Sequence, residues 1–271
     1  MKKITAFLLC AAIFVLGISA CGSDSDGGKT FNDYMDFEGE IIGVVHGNLA
    51  TAIIQDVIGG TAGVYPGVEA SLADIRSGEI AGFITDLSIV NVLAASHEDM
   101  KVIPVPAEIF SGSLGAFSAD QELINEFNTF LAELKADGTL ADMQKRWLED
   151  IPDENTNVPE FNLSGENGTL NVLTTIESKP FSYSDNDATH GFRPAKGYSI
   201  ELAVRFAAGM GMDIKFYYAN FSDLIDYVAN GDGDLKFDFG IDAVTITEER
   251  AQKVIFSDSI YDDLLGIITL K

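Results

Sequence analysis

Apolar positions in this chain fall into two alternating series separated by one polar stretch. In the first series, short apolar runs predict strands at Glu40–Val45, Ile80–Thr85 and Lys101–Val105. Apolar residues at helical spacing between them predict helices at Leu49–Ile58, Ser71–Arg76 and Asp86–Ser96. The longest amphipathic helix is predicted at Asp120–Lys135, ended by Asp137-Gly138, and a second at Leu140–Glu149 carries the single tryptophan, Trp147. From 151 to 167 the chain is rich in Pro, Asn, Asp, Glu and Gly without periodicity, which predicts a surface linker able to span roughly 55 Å when extended. The second series then gives strands at Leu170–Thr175, Ile214–Ala219, Phe237–Ile241 and Leu264–Leu270, with helices at Gly197–Met210, Ser222–Ala229 and a short one from Thr247. Strands alternating with helices predict an α/β fold with a largely parallel sheet covered on both faces. No segment repeats, so the two series are complementary parts and not a tandem array.

The first twenty residues follow another logic. Lys2 and Lys3 precede an apolar stretch from Ile4 to Ile18, shorter than the ~20 residues of a membrane-spanning helix, and this reads as an export signal over 1–20. The run Ile18-Ser19-Ala20-Cys21 resembles a bacterial lipobox, which implies a lipid on Cys21; Gly, Ser and Asp fill 22–28, and a flexible tether is expected over 21–38. Cys10 would leave with the signal and Cys21 would be acylated, so no disulfide is expected and the exported domain must hold itself by packing.

The formal charge is −25, and loss of Lys2 and Lys3 makes the remainder more negative still. Such a surface disfavours nucleic acid and anionic lipid head groups as partners. Asn230, Asp232, Asp234, Lys236 and Asp238 have the alternate spacing of a calcium loop, but Leu235 and Ile241 stand where glycine and glutamate are required, so a solvated turn without metal is expected.

Five segments carry a more specific pattern. Gly240–Asp258 (GIDAVTITEERAQKVIFSD) has a strand ending in small residues, then Thr-x-x-Arg, then Phe-Ser-Asp; Gly168–Asp185 has an opening strand with a Pro-Phe turn. Lys29–Gly47, Ser77–Asp86 and Leu131–Trp147 supply the remaining parts. Together these resemble the polar amino acid binding proteins of ABC importers, the family 3 periplasmic solute-binding proteins, with the order of their two halves exchanged. The resemblance implies a two-lobed fold with a central cleft and hinge, lobe order permuted. It implies a smaller lobe over 39–108, one crossing near Phe110–Phe117, and a larger lobe over 109–271, with Lys271 ending beside Asp36–Glu40.

The family's ligand is a zwitterion, which needs a cation and an anion on opposing walls. By resemblance, Arg250 receives the carboxylate, Asp86 the ammonium, and Thr245 helps to hold the carboxylate; a planar guanidinium suits that bidentate task. Each position has a plainer reading beside it: Arg250 as a solvated helix arginine, Asp86 as the N-cap of the next helix, and Thr245 with Glu248 as a capping box. Phe181, His46 and Asp242 are expected as further lining. Asp242 stands where the family has a small residue, either to pair with Arg250 or to face a cationic side chain. Ser178 replaces an aromatic that stacks on the ligand, Thr175 replaces a second acid and Leu49 a hydroxyl contact, so the side-chain pocket is altered.

The resulting expectation is a membrane-anchored extracytoplasmic monomer that binds an amino acid and delivers it to an ABC permease, with no cofactor and no catalysis. A ligand-sensing surface lipoprotein is the alternative. An enzyme of the same fold, such as a dehydratase, is the other, with Glu177 as its visible acid or base.

Overall fold

The computed structural model describes residues 29–184 and 195–271, and Phe31–Lys271 form one compact unit. The export signal, Cys21 and residues 21–28 lie outside the described residues; the rest of the expected tether is not a free linker, since Tyr34–Phe37 forms a 3-10 turn capped by Asp33 and Phe31 and Phe37 are buried in the core.

Within the unit, the backbone builds two five-stranded sheets. The first has the order Thr61–Tyr65, Ile41–Val45, Gly82–Asp86, Leu265–Leu270, Met100–Pro104. Its first three strands run parallel, and Leu265–Leu270 runs antiparallel to both neighbours, with Ile267 opposite Ile84 on one side and Ile103 on the other. Residues two apart on a strand share a face. Ile42, Val44, Ile84 and Ile267 accordingly pack with Phe37, Ile54 and Ile58, while Phe83 and Ile268 pack with Val68, Leu72, Val90 and Leu93 of the helices Val68–Ser77 and Leu87–Ala95. Gly43 is fixed by that packing, since a Cβ there would come within 2.5 Å of the Phe83 ring.

The second sheet has the order Asp213–Tyr218, Thr169–Thr174, Phe239–Gly240, Phe117–Ser118, Ile255–Phe256. Its first three strands are parallel and the other two pairings antiparallel. The amphipathic helix is present at Gln121–Ala136, capped by Asp120, with Ile124, Phe127, Leu131 and Leu134 buried. The helix expected at Leu140–Glu149 divides into an α segment, Thr139–Gln144, and a π turn, Lys145–Glu149. The polar stretch between the two series has no regular element, and Val158 and Leu163 of it pack on the apolar core.

Some expected elements differ. Leu49–Ile58 is a short α turn, Ala50–Ala52, that widens into a π turn, Ile53–Ile58, closed by Gly59 at φ 77°. The edge strand Thr61–Tyr65 was not signalled, because its small and polar residues are half exposed and show no apolar alternation. The helix expected from Thr247 is a three-residue 3-10 turn, Arg250–Gln252.

The chain leaves the first sheet through Gly112–Leu114 and returns through Tyr261–Asp263, and these strands pair antiparallel, Leu114 opposite Tyr261 and Gly112 opposite Asp263. The expectation of one crossing, with everything from 109 to 271 in one lobe, is therefore replaced by a two-stranded hinge. The physical reason lies in Leu265–Leu270, whose first five residues are all buried. A strand apolar on both faces belongs inside a sheet, and it fills the slot between Gly82–Asp86 and Met100–Pro104. Its far end meets the start of the first strand through one residue: the Thr269 hydroxyl donates to the Ala81 carbonyl at 2.7 Å, and the Ala81 N–H donates to the Ile41 carbonyl at 2.9 Å.

Candidate functional site

Between the two sheets lies a cleft of about 480 Å³. Its walls come from the carboxyl ends of parallel strands: Val45, Thr85 and Asp86 from the first sheet, Thr175 and Tyr218 from the second. Side chains and loops at those ends are free of the ladder, which makes them the usual place for a ligand in α/β sheets.

Asp86 occupies the end of its strand and is 5% exposed. It stands at the N-cap position of Leu87–Ala95, yet its side chain makes no cap hydrogen bond. Its recorded side-chain partner is the Thr85 hydroxyl, which donates at 3.3 Å. Burial raises its pKa, with help from the nearby charges of Asp263 and, less, Asp242, to about 7. Asp263 lies on the returning hinge strand and accepts from the Ser88 hydroxyl at 2.5 Å. Asp242 accepts from the Thr175 hydroxyl at 2.7 Å, the Thr175 N–H at 2.9 Å and the Thr174 hydroxyl at 3.1 Å. Burial pushes both of these carboxyls up as well, and their hydrogen bonds pull back.

Arg250 is half-buried and lies beside the cleft in a smaller cavity of about 120 Å³, which it shares with Gly47, Phe221 and Ser222. Its Nη1 donates to the Thr245 carbonyl at 2.8 Å, and its Nη2 donates to the Gly47 carbonyl of the opposite lobe at 3.1 Å. The guanidinium sits 5.5 Å from the centre of the Phe221 ring. Burial lowers its pKa, and Asp86 nearby offsets part of that. The Arg250 N–H is capped by the hydroxyl of Thr247 at 3.2 Å, in place of the capping box expected from Thr245.

The structure therefore separates the sequence-predicted residues. Asp86 lines the cleft; Arg250 flanks it with two N–H groups bonded to backbone carbonyls. Thr245 borders a different surface depression and serves Arg250 through its carbonyl. Asp242 is fully buried behind the wall and bonded to threonines, not paired with Arg250. Phe181 is also fully buried and packs on Tyr198 and Tyr261, because the bulky ring is more stable in the core than in a polar cleft. His46 is exposed and outside the lining.

Several lining groups escaped the sequence reading. Tyr218, Phe221 and Tyr227 supply rings where Ser178 suggested that aromatic contact was lost, and Asp223 and Asp232 add acids. The strand ending near Ala219 was legible, so the Tyr217-Tyr218 pair at its carboxyl end was the available signal. Glu177 does line the cleft, as does Ser178, whose hydroxyl is 2.9 Å from that of Thr175. Among the described residues no group of three or more His, Cys, Asp or Glu could hold a metal ion.

Comparison with known proteins adds identity to this geometry. Residues 170–271 match the family described as bacterial extracellular solute-binding proteins, family 3. A membrane-bound lytic murein transglycosylase F of Maricaulis maris is 36% identical over 93 residues, which cover 34% of this chain and 18% of that protein. ABC transporter arginine-binding protein 1 of Escherichia coli is 27% identical over 125 residues, covering 44% of this chain and 51% of that one. The chain thus spans about half or less of the curated relatives it matches. Among solved structures, the phosphate-binding protein of a phosphate ABC transporter from Streptococcus pneumoniae aligns with TM-score 0.43 and 13% identity, covering 86% of this chain and 88% of that one. A putative lipoprotein from Actinomyces odontolyticus aligns with TM-score 0.36 and 11% identity, covering 85% and 82%. Over residues 170–271, the chain is thus similar to the bacterial extracellular solute-binding proteins of family 3.

Proposed function

We propose that this protein captures a small solute bearing an ammonium group, of the amino acid kind, outside the cytoplasmic membrane and delivers it to an ABC permease. One observation carries the reading: a buried carboxylate, Asp86, faces an interlobe cleft with no cation paired to it among the described residues. Keeping a carboxyl there costs stability, and a bound ammonium would offset that cost. The cleft is of a size that holds a small solute. The family match and the arginine-binding relative support extracytoplasmic solute binding for ABC transport.

In this reading, closure about the two-stranded hinge is the working motion, and the ligand stabilises the closed state by contacts made to both lobes. Arg250 assists from the flank by tying its own lobe to Gly47 of the other. Cys21 carries the lipid anchor, the protein acts as a monomer, and the chain is a circularly rearranged family member whose old ends met near Ala81. Melting curves against a panel of amino acids test the function. A rise in Tm with at least one member is expected, and calorimetry should then find that Asp86→Asn abolishes its binding. Undiminished affinity in Asp86→Asn would remove the assigned site.

A further inference from the structure

The charge of the cleft lining is one-sided. Asp86, Glu177, Asp223 and Asp232 face it, and no lysine, arginine or histidine lines it among the described residues. The flanking arginine has Nη1 and Nη2 each bonded to a backbone carbonyl, outside that lining. We infer that the ligand is an organic cation with positive groups at both ends, a diamine or an amino-guanidine, whose binding does not require a carboxylate. This deepens the solute-binding reading and rests on it.

The acids form two poles on opposite lobes. Asp86, buried and with no ion pair among the described residues, though Arg250 is near enough to feel its charge, is the first. Asp223 and Asp232 are the second, and both act electrostatically on the Tyr227 hydroxyl, which places both near that ring. The Tyr218 and Phe221 rings line the space alongside, as suits a cation passing over aromatic faces. With the cleft empty, negative walls repel and closure is disfavoured; a dication neutralises both walls and closes the lobes by the difference. A zwitterion brings a carboxylate into a lining that, among the described residues, offers it no cationic side chain.

The test uses agmatine, putrescine, arginine and glutamate as probes at pH 8, by melting curve and calorimetry on the mature chain. Agmatine, which is arginine without its carboxylate, is expected to bind within about tenfold of arginine or more tightly, and glutamate at least 100-fold more weakly. The double variant Asp223→Asn, Asp232→Asn should lose more than tenfold in agmatine affinity while its melting without ligand stays near that of the wild type. Arginine binding 100-fold tighter than agmatine, or preferred binding of glutamate, overturns the inference and leaves the solute-binding reading standing. Agmatine affinity unchanged in the double variant also overturns it. No response to these probes or to any amino acid removes both.

Discussion

Two buried carboxylates divide the molecule into a part that is finished and a part that is waiting. Glu201, fully buried in the helix Tyr198–Gly209, accepts from Arg146 Nη2 at 2.7 Å, Arg205 Nε at 2.9 Å and Trp147 Nε1 at 2.8 Å. Asp86, nearly as buried, has one threonine hydroxyl at 3.3 Å. A buried charge is tolerated when it is paired and hydrogen-bonded, and Glu201 meets that condition inside the fold. Asp86 does not meet it within the described residues, and in the proposed reading a bound ammonium group completes it. In the proposed reading, the degree of internal satisfaction, and not burial itself, separates the structural acid from the ligand-binding one.

Variants at the two positions should separate in opposite ways. Glu201→Ala strands Arg146 and Arg205 beside the buried Trp147 and should destabilise the protein by about 3–5 kcal/mol, while folded molecules keep ligand affinity; chemical denaturation and calorimetry measure the two. Asp86→Asn should cost at least two orders of magnitude in affinity, about 2.7 kcal/mol, yet raise the Tm of the empty protein at neutral pH, because it removes a carboxylate held above its ordinary range. A fall in both Tm and affinity at Asp86 would make it a second structural acid and end the contrast.

The pH dependence has a defined sign. With a pKa of about 7, Asp86 is protonated in the empty folded state where the unfolded chain has already ionised it. The empty protein should therefore lose stability as pH rises from about 4 to about 7, by up to roughly 4 kcal/mol from this group; Asp242 and Asp263, shifted the same way by burial, add to the trend. Cation binding has the opposite slope and should weaken about tenfold between pH 8 and pH 6 as Asp86 is neutralised. Titrations across that window check both slopes.

Smaller effects are expected at the flank and the hinge. Arg250→Ala removes the bond to Gly47 and should weaken binding severalfold by loosening closure, read as a faster ligand off-rate. A rearranged variant, with Lys271 joined to Asp36 by a short flexible linker and new ends opened within the linker after Ile151, should keep affinity within a few-fold. Failure of that variant to fold would count against the circular relationship.

The contrast also shows what the sequence could carry. The amphipathic helix Gln121–Ala136 and the buried strands were legible because apolar period reports burial directly. The double crossing was not, since an apolar run such as Leu265–Leu270 states that it is buried on both faces without naming the sheet that accepts it. At the site, Asp86 was reached by motif, whereas Tyr218, Asp223 and Asp232 were not, because their place in the cleft depends on how two lobes meet. The same limit moved Arg250: its residue type fits an anion, but its bonds to Thr245 and Gly47 depend on the backbone around it.

The central claim, that Asp86 is the cleft's receptor for a positive group, is tested most directly by proton release. Binding of agmatine at pH 7, measured by calorimetry in buffers of different ionisation enthalpy, should release about half a proton per ligand from a carboxyl with a pKa of about 7. That release should vanish together with tight binding in Asp86→Asn. Tight binding with no proton release in the wild type, or with the same release in Asp86→Asn, would contradict the account.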